Sequence, residues 1–349
     1  MRPLQIDNFK IDQHSPVFII AELSANHNGS LKTAIESIKA AKKTGADAVK
    51  IQTYTADTIT LDSQKDDFKI KQGSLWDGRY LHELYQEAHT PWEWHEEIFR
   101  VAREEGLVCF SSPFDPTAVD LLESLNVPAY KIASFEITDI PLIKLVASKQ
   151  KPVIISTGIA LEEDIKLAVD TCRAVGNDQL ILLKCTSSYP APIEEANMLM
   201  VKDLSERFQV YSGLSDHTMG STVPVVATAY GARVIEKHFI IDRAIGGPDA
   251  AFSLNQEEFT NMVTAVREAE KAIGVVDYNL TPKQMKGRDF ARSLYVVKDV
   301  KKDEVVSAEN VRSIRPGYGM HPKYFETMVG RKFLRDVERG TPLKAEDVA

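Results

Sequence analysis

The stretch Gly213-Leu-Ser-Asp-His217-Thr-Met-Gly220 is answered about twenty residues later by Ala232-Arg-Val-Ile-Glu236-Lys-His238-Phe239. Each is an apolar run that turns polar at its end, the form a buried strand takes where it reaches the rim of a parallel barrel and presents side chains to a site. His217 and His238 lie 21 residues apart, too far for one helix face but close to one strand-helix-strand unit. Neighbouring strands would then point both imidazoles at one divalent ion. Asp216 and Glu236 beside them are candidates for supporting the ligands or handling protons. Taken singly, either histidine reads as a satisfied core or surface residue, and only the pairing at two strand ends argues for a metal.

Working outward, short β-branched runs alternate with longer amphipathic ones from residue 16 to about 272. Eight strands are expected: Val17 to Leu23, Ala48 to Thr53, Leu107 to Ser112, Ala129 to Ala133, Pro152 to Thr157, Leu180 to Cys185, Phe208 to Leu214 and Ala232 to Phe239. Eight such units with helical returns close most naturally into an α/β (β/α)8 TIM barrel. An open doubly wound sheet is disfavoured because no G-x-G-x-x-G follows the first strand. A long insertion, Tyr54 to Thr90, carries Lys69, Lys71, Trp76 and Arg79 before a helix near Trp92. Loops that long at a barrel's catalytic face are usually lids or specificity elements. The helical period stops after Ile273, and short runs at 294–297 and 304–306 follow between charged turns. The expected organisation is a barrel over 1–275, a linker over 276–289 and a small β-rich domain over 290–349.

With 349 residues and 44% hydrophobic content the chain can bury a large core. A net charge of -8 argues against a general nucleic-acid or membrane-surface binder, so positive charge for an anionic ligand must be local. Cys109, Cys172 and Cys185 have neither disulfide-framework spacing nor a C-x-x-C pair, which points to reduced thiols, and packing is the default role of Cys109 and Cys185. The start, Met1-Arg-Pro-Leu-Gln-Ile-Asp7, lacks the apolar core of a signal peptide, and no stretch approaches 18 uninterrupted apolar residues; a soluble cytoplasmic protein is expected.

In a barrel the chemistry gathers at the carboxyl ends of strands, and here those ends are polar. They offer Glu22, then Lys50 and Gln52, Ser111 and Ser112, Lys131, Ser134 and Glu136, Ser156 and Thr157, Lys184 and Thr186 to Tyr189, Ser215 and His217, and Glu236 and His238. Recurrent hydroxyls with lysines at strands two and four suit a small phosphorylated anion, hydroxyls and amides taking its oxygens and ammonium groups offsetting its charge. Any one serine is more often a cap or turn residue, so only the set argues. Glu22, facing a metal and an electrophile, is a candidate acid, base or positioning group.

At these residues the chain resembles the sialic acid synthase family. The motifs are Ala21-Glu-Leu-Ser-Ala-Asn-His-Asn-Gly29, Lys50-Ile-Gln-Thr53, Phe110-Ser-Ser-Pro-Phe114, Tyr130-Lys-Ile-Ala-Ser-Phe-Glu136, Ser156-Thr-Gly158, Gly213-Leu-Ser-Asp-His217 and Glu236-Lys-His-Phe239. The tail with Ile314-Arg-Pro-Gly317 is similar to that family's antifreeze-like SAF domain. The resemblance implies a transferase that condenses phosphoenolpyruvate with an open-chain amino-sugar aldehyde, releasing phosphate and forming a nine-carbon 2-keto acid. Ser-Phe-Glu136, Leu75-Trp-Asp77 and Phe290-Ala-Arg-Ser-Leu294 follow the branch whose sugar is 2,4-diacetamido-2,4,6-trideoxy-L-altrose. By the same resemblance His217 and His238 are manganese or magnesium ligands, and Glu22 is the carboxylate meeting the metal-side water or sugar. Lys50, Ser112, Lys131, Ser134, Ser156, Thr186 and Ser215 match the phosphoenolpyruvate shell, and Gln52, Tyr189 and Asp249 match sugar-side positions. Arg315 matches an arginine reaching the sugar's acetamido group from the other subunit of a domain-swapped homodimer. Ser187 departs from the family, standing where N-acetylneuraminate synthases carry Asn.

The competing readings are an N-acetylneuraminate or legionaminate synthase using an N-acetylmannosamine-type sugar, a metal-dependent pyruvate aldolase, and a catalytically silent barrel that binds an acidic sugar. Ice binding by the tail is disfavoured by its density of Lys, Arg, Glu and Asp.

Overall fold

Strands form where the β-branched runs lie. The computed structural model describes residues 1–71, 73 and 75–349. An antiparallel hairpin comes first, β1 (Leu4–Ile6) with β2 (Phe9–Ile11). The parallel strands are β3 (Phe18–Glu22), β4 (Ala48–Thr53), β5 (Val108–Pro113), β6 (Tyr130–Ile132), β7 (Val153–Ser156), β8 (Leu180–Cys185), β9 (Tyr211–Asp216) and β10 (Val234–His238). They pair in chain order, and β10 pairs with β3, so among the described residues this sheet has no open edge.

Helices return the chain between strands. They are α1 (Leu31–Lys43), the short α2 (Ala56–Ile59) and α3 (Leu81–Ala88), α4 (His95–Glu104), α5 (Pro116–Ser124), α6 (Ile140–Ser148), α7 (Glu162–Ala174), α8 (Leu199–Phe208), α9 (Thr222–Ala229) and α10 (Gln256–Ile273). Ser30, Asp115, Asp139 and Asn255 cap α1, α5, α6 and α10, each side chain accepting a first-turn backbone N–H. The insertion after β4 is not one irregular loop, since it holds α2, α3 and a 3-10 turn at Asp66–Phe68.

Seven strands lie within two residues of their expected bounds, and β9 departs further. Phe208 is the last residue of α8, Gln209 takes a left-handed φ of 55° that ends the helix, and the strand runs from Tyr211 to Asp216 instead of Phe208 to Leu214. The apolar run was continuous in sequence, but it is divided between a helix end and a strand. Within β9, Gly213 is required by packing. A Cβ there would stand 2.1 Å from the Val234 carbonyl oxygen and 2.8 Å from Leu183 Cδ2.

The two-residue period of the strands divides their side chains between two cores. Val17, Ile19, Ala21, Val49, Ile51, Ile132, Ile155 and Leu182 belong to the layer shared with the helices. Phe18, Ile20, Ala48, Phe110, Ile154, Ile181, Leu183 and Val234 fill the barrel interior together with Leu4, Ile6 and Ile11 of the hairpin, which therefore closes the amino-terminal end. Phe9 packs tilted against Phe18 with ring centroids 4.7 Å apart. Two residues further along each strand the interior set changes from apolar to polar, which puts Glu22, Lys50, Ser112, Ser156 and Glu236 at the opposite end.

The chain divides into two compact units, Met1–Gly274 and Val275–Ala349. The second has its own core of Leu294, Val296, Val306, Val311, Phe333 and Leu343. Its paired strands are β11 (Ser293–Val296) and β12 (Val311–Ile314). Glu304 to Val306, expected as a strand, makes no strand: Val305 forms only an isolated bridge to Lys332, while Val306 turns into the core. The expected linker also holds a helix, α11 (Pro282–Gly287), capped by Thr281, and α12 (Phe325–Met328) follows later. Among the described residues no helix is long and apolar enough to cross a membrane.

Candidate active site

The interior positions nearest the carboxyl ends of the strands converge on one another. Lys50, on β4, is buried, and its ammonium sits 2.8 Å from Glu22 Oε2 and 3.6 Å from Glu236 Oε1. It also donates to Ser112 Oγ at 3.2 Å. Lys131, on β6, is equally buried and donates to Ser156 Oγ at 2.7 Å and to the Ile132 carbonyl at 3.0 Å. Ser215 Oγ donates to Glu236 Oε1 at 3.3 Å. A buried ammonium is tolerated only with such partners.

Two carboxylates thus share one close ammonium, and their titrations separate. Burial pushes Glu22 up to about 7, against the pull of Lys50 and with the repulsion of Glu236. Burial presses on Glu236 as well, but Lys131 and Lys50 outweigh it and hold that carboxyl below its ordinary range. The result is one proton-holding carboxyl beside one fixed anion. Burial also lowers Lys131, so its charge depends on the anions around it.

His217 and His238 meet as the strand ends predict, with ring centroids 5.3 Å apart. His217 Nδ1 donates to the Thr186 carbonyl at 2.9 Å, which leaves Nε2 as the nitrogen a metal would take. Burial lowers this ring, but Cys185 and the Thr186 carbonyl outweigh it and hold it above the usual histidine range, so metal binding there displaces a proton. Burial, with cationic His217 and Lys50 nearby, keeps His238 well below the usual histidine range and therefore neutral. Its buried Nδ1 has no hydrogen-bond partner. His217 Nε2, once a cation displaces its proton, and the unpartnered His238 Nδ1 on a ring 5.3 Å away fit a divalent cation. Among the described residues no group of three His, Cys, Asp or Glu side chains is arranged as a metal centre, so the protein's share would be these two ligands.

Behind the histidines lies a feature that the motif alone did not reveal. Asp216 and Lys237 are cross-strand neighbours in the β9–β10 register and form a fully buried ion pair. Asp216 Oδ1 accepts from Thr218 N at 2.9 Å and Thr218 Oγ1 at 2.8 Å, and the Lys237 ammonium also donates to the Thr218 carbonyl. Each residue immediately precedes a histidine, so the pair locks the two strand ends to each other. A lysine on the outward, apolar face of a strand was the available signal.

On another side of the rim Gln52 Nε2 donates to Glu22 Oε1 at 3.2 Å and to Ser24 Oγ at 3.1 Å. Ser24 donates to Asp249 Oδ2, which lies 4.0 Å from His238 Nδ1. Tyr189 packs its ring 4.4 Å from that of His217. Ser134 Oγ accepts from Ile159 N at 3.1 Å and from Ser187 Oγ at 3.0 Å. These contacts explain Gly158, where a Cβ would stand 2.2 Å from Ser187 Oγ and 2.7 Å from Ser134 Oγ. Thr186 lies half-buried at the same rim and receives a hydrogen bond from Lys184 at 3.3 Å. Arg315 is in the other unit, exposed just after β12.

Three side chains here sit closer to the site than their sequence reading implies. Burial pushes Glu136 up to about 7, and its Oε2 has no hydrogen-bond partner. Cys185, read as packing, has its Sγ 4.0 Å from His217 Nδ1. Phe252 packs 4.8 Å from the His238 ring, centroid to centroid. An apolar residue in a loop carries no sequence signal of such a position.

The NeuB family pattern matches residues 37–278, and the SAF domain pattern matches residues 291–349. The chain belongs to the NeuB family. It is 53% identical to the pseudaminic acid synthase of Campylobacter jejuni over 344 residues, covering 99% of both chains. It is 49% identical to the pseudaminic acid synthase of Helicobacter pylori, over 95% of this chain and 98% of that one. Among solved structures, the N-acetylneuraminic acid synthetase of Leptospira borgpetersenii, in complex with citrate, superposes with a TM-score of 0.73 at 28% identity, covering 82% of this chain and 95% of that one. The polar strand ends of this NeuB barrel are thus those of a synthase family, set on the (β/α)8 fold expected from the alternation of runs.

Proposed function

We propose that the chain makes pseudaminic acid, condensing phosphoenolpyruvate with 2,4-diacetamido-2,4,6-trideoxy-L-altrose and water and releasing phosphate. The observation that carries this reading is the buried cluster of Lys50 and Lys131 with Ser112 and Ser156, set in one barrel mouth with His217 and His238. Near-full-length similarity to two pseudaminic acid synthases supports the choice of sugar.

Lys50, Lys131, Ser112, Ser134, Ser156, Thr186 and Ser215 bind the phosphate and carboxylate of phosphoenolpyruvate, their ammonium groups and hydroxyls replacing water around its anionic oxygens. Gln52, Tyr189 and Asp249 orient the sugar so that its aldehyde carbon faces the enol carbon. His217 and His238 would hold Mn2+ or Mg2+, which when bound supplies Lewis-acid polarisation of the aldehyde. The new bond joins the methylene carbon of the enol to the aldehyde carbon, and the aldehyde oxygen takes a proton to become a hydroxyl. Positive character then arises at the carbon bearing phosphate; water adds there, and the C–O bond to phosphate breaks to leave the 2-keto acid. Glu22, able to hold or yield a proton near neutrality, serves these transfers. Fixing both reactants in the barrel mouth supplies an effective molarity of up to about 10⁵–10⁸ M.

Arg315 is proposed to complete the sugar site from the partner of a domain-swapped homodimer. Mixing an Arg315→Ala chain with a Glu22→Gln chain tests this: swapped sites regain turnover in the mixed dimer, and unswapped ones regain none.

The decisive assay is phosphate release from phosphoenolpyruvate with Mn2+ and either the altrose derivative or N-acetylmannosamine. Preferential turnover of the altrose derivative is expected. Preference for N-acetylmannosamine overturns the sugar assignment, turnover of pyruvate in place of phosphoenolpyruvate makes the protein an aldolase, and no release with any sugar makes it a binder.

A further inference from the structure

Three aromatic rings close one side of the barrel mouth, and they come from three different loops. Trp76 belongs to the insertion after β4, Tyr189 to the loop after β8, and Phe252 to the segment after β10. The Trp76 and Tyr189 ring centroids are 5.5 Å apart, Tyr189 and Phe252 5.1 Å, and Trp76 and Phe252 6.5 Å. The cluster adjoins both histidines, through Tyr189 at 4.4 Å from His217 and Phe252 at 4.8 Å from His238.

Its exposure distinguishes it from core. Phe252 is buried and forms the backing, whereas Trp76 and Tyr189 are only half-buried. The Trp76 indole N–H donates to the Pro248 carbonyl at 3.2 Å. That bond fixes the ring and occupies its polar atom, so what Trp76 offers the mouth is hydrocarbon. The remainder of the mouth is polar, through Glu22, Gln52, Ser24 and Asp249. A substrate matching this site has hydrogen-bonding groups along one edge and methyl groups along the other.

We infer that Trp76, Tyr189 and Phe252 form an apolar wall that selects a 6-deoxy sugar, receiving its C6 methyl where a hexose would present a hydroxyl. The inference rests on the proposed condensation and gives the insertion after β4 a role, as the part of the chain that brings Trp76 to the wall. A hydroxyl pressed against the wall loses water without gaining a partner. Apolar pockets separate substrates differing by one such small group by about 10–200-fold.

The test compares kcat/KM for 2,4-diacetamido-2,4,6-trideoxy-L-altrose with that for its 6-hydroxy counterpart, using the full-length enzyme with Mn2+ and saturating phosphoenolpyruvate. Wild-type protein is expected to favour the deoxy sugar by about 10–200-fold. Trp76→Ala should bring the ratio to within a few-fold, mostly through lost turnover of the deoxy sugar, while Trp76→Phe retains most of the preference and KM for phosphoenolpyruvate stays unchanged in both. If Trp76→Ala lowers kcat/KM for both sugars by one common factor, Trp76 merely shapes the insertion and the wall is wrong, though the condensation stands. If wild-type protein turns over neither sugar, the condensation fails and the wall fails with it.

Discussion

The two ends of the barrel interior are built by the same strands on the same two-residue period, yet hold opposite chemistry. Near the amino-terminal end Phe18, Ile20, Phe110, Ile154 and Val234 pack among themselves and against the β1–β2 hairpin. Two residues along the same strands stand Glu22, Ser112, Ser156 and Glu236, with Lys50 and Lys131 at the same level, and these are just as buried. Burial therefore does not separate the ends; what separates them is whether burial is favourable. Apolar area gains about 25 cal/mol per Å² when removed from water, whereas a charge removed from water must be repaired by partners. One end provides stability, and the other holds charges in poses that water would relax.

Substitutions at matched positions test that division. The largest effect on stability is expected from Phe110→Ala, which opens a cavity among interior side chains and should lower unfolding free energy by about 3–5 kcal/mol in denaturant titrations. The protein that remains folded should keep its KM values. His238→Ala should reverse the pattern, with turnover falling on the order of 10³-fold or more through lost electrophilic assistance and little change in melting temperature. A large loss of stability in His238→Ala would mean that the rim also holds the fold together.

A smaller effect is expected from Lys237→Met, which leaves Asp216 buried without its ammonium and frees the strand ends carrying both histidines. Mn2+ affinity, read by calorimetry on enzyme without substrate, should fall by about 10–100-fold, more than phosphoenolpyruvate affinity falls. Equal losses for both would make the pair a general structural bond. The smallest effect is a slope. Since Glu22 is raised from an ordinary 4.5 to about 7, the folded protein retains a proton that the unfolded chain has released across that interval. The stabilising contribution of this group is complete below pH 4.5 and is lost as pH rises through about 7. The melting temperature of metal-free Glu22→Gln relative to wild type should therefore climb between those values and level off above them; a difference independent of pH would show that Glu22 titrates normally.

Much of the division was readable beforehand, because strand alternation is a local property of sequence. Runs such as Leu180 to Cys185 and Ala48 to Thr53 form strands over the expected residues, and their interior sets follow from counting by two. The β1–β2 hairpin escaped notice because its strands are three residues each, too short to show a period. Val305 and its neighbours have the composition of a strand, but a strand needs a partner in register, and β11 pairs with Val311–Ile314. At the site, the convergence of His217 and His238 was legible from equivalent places on successive units. The Asp216–Lys237 pair and the Trp76–Tyr189–Phe252 cluster were not, since each depends on register or loop geometry that brings distant residues together.

The hairpin beneath the barrel has a kinetic consequence. With Ile6 and Ile11 packed into the floor, the approach to the polar residues lies at the other end of the barrel. Lys131 and Ser156 sit on the strands themselves, whereas Trp76 and Tyr189 belong to the loops above. On the proposed assignment the enol phosphate must therefore be seated before the sugar arrives, and a sugar bound early would block its own co-substrate at high concentration.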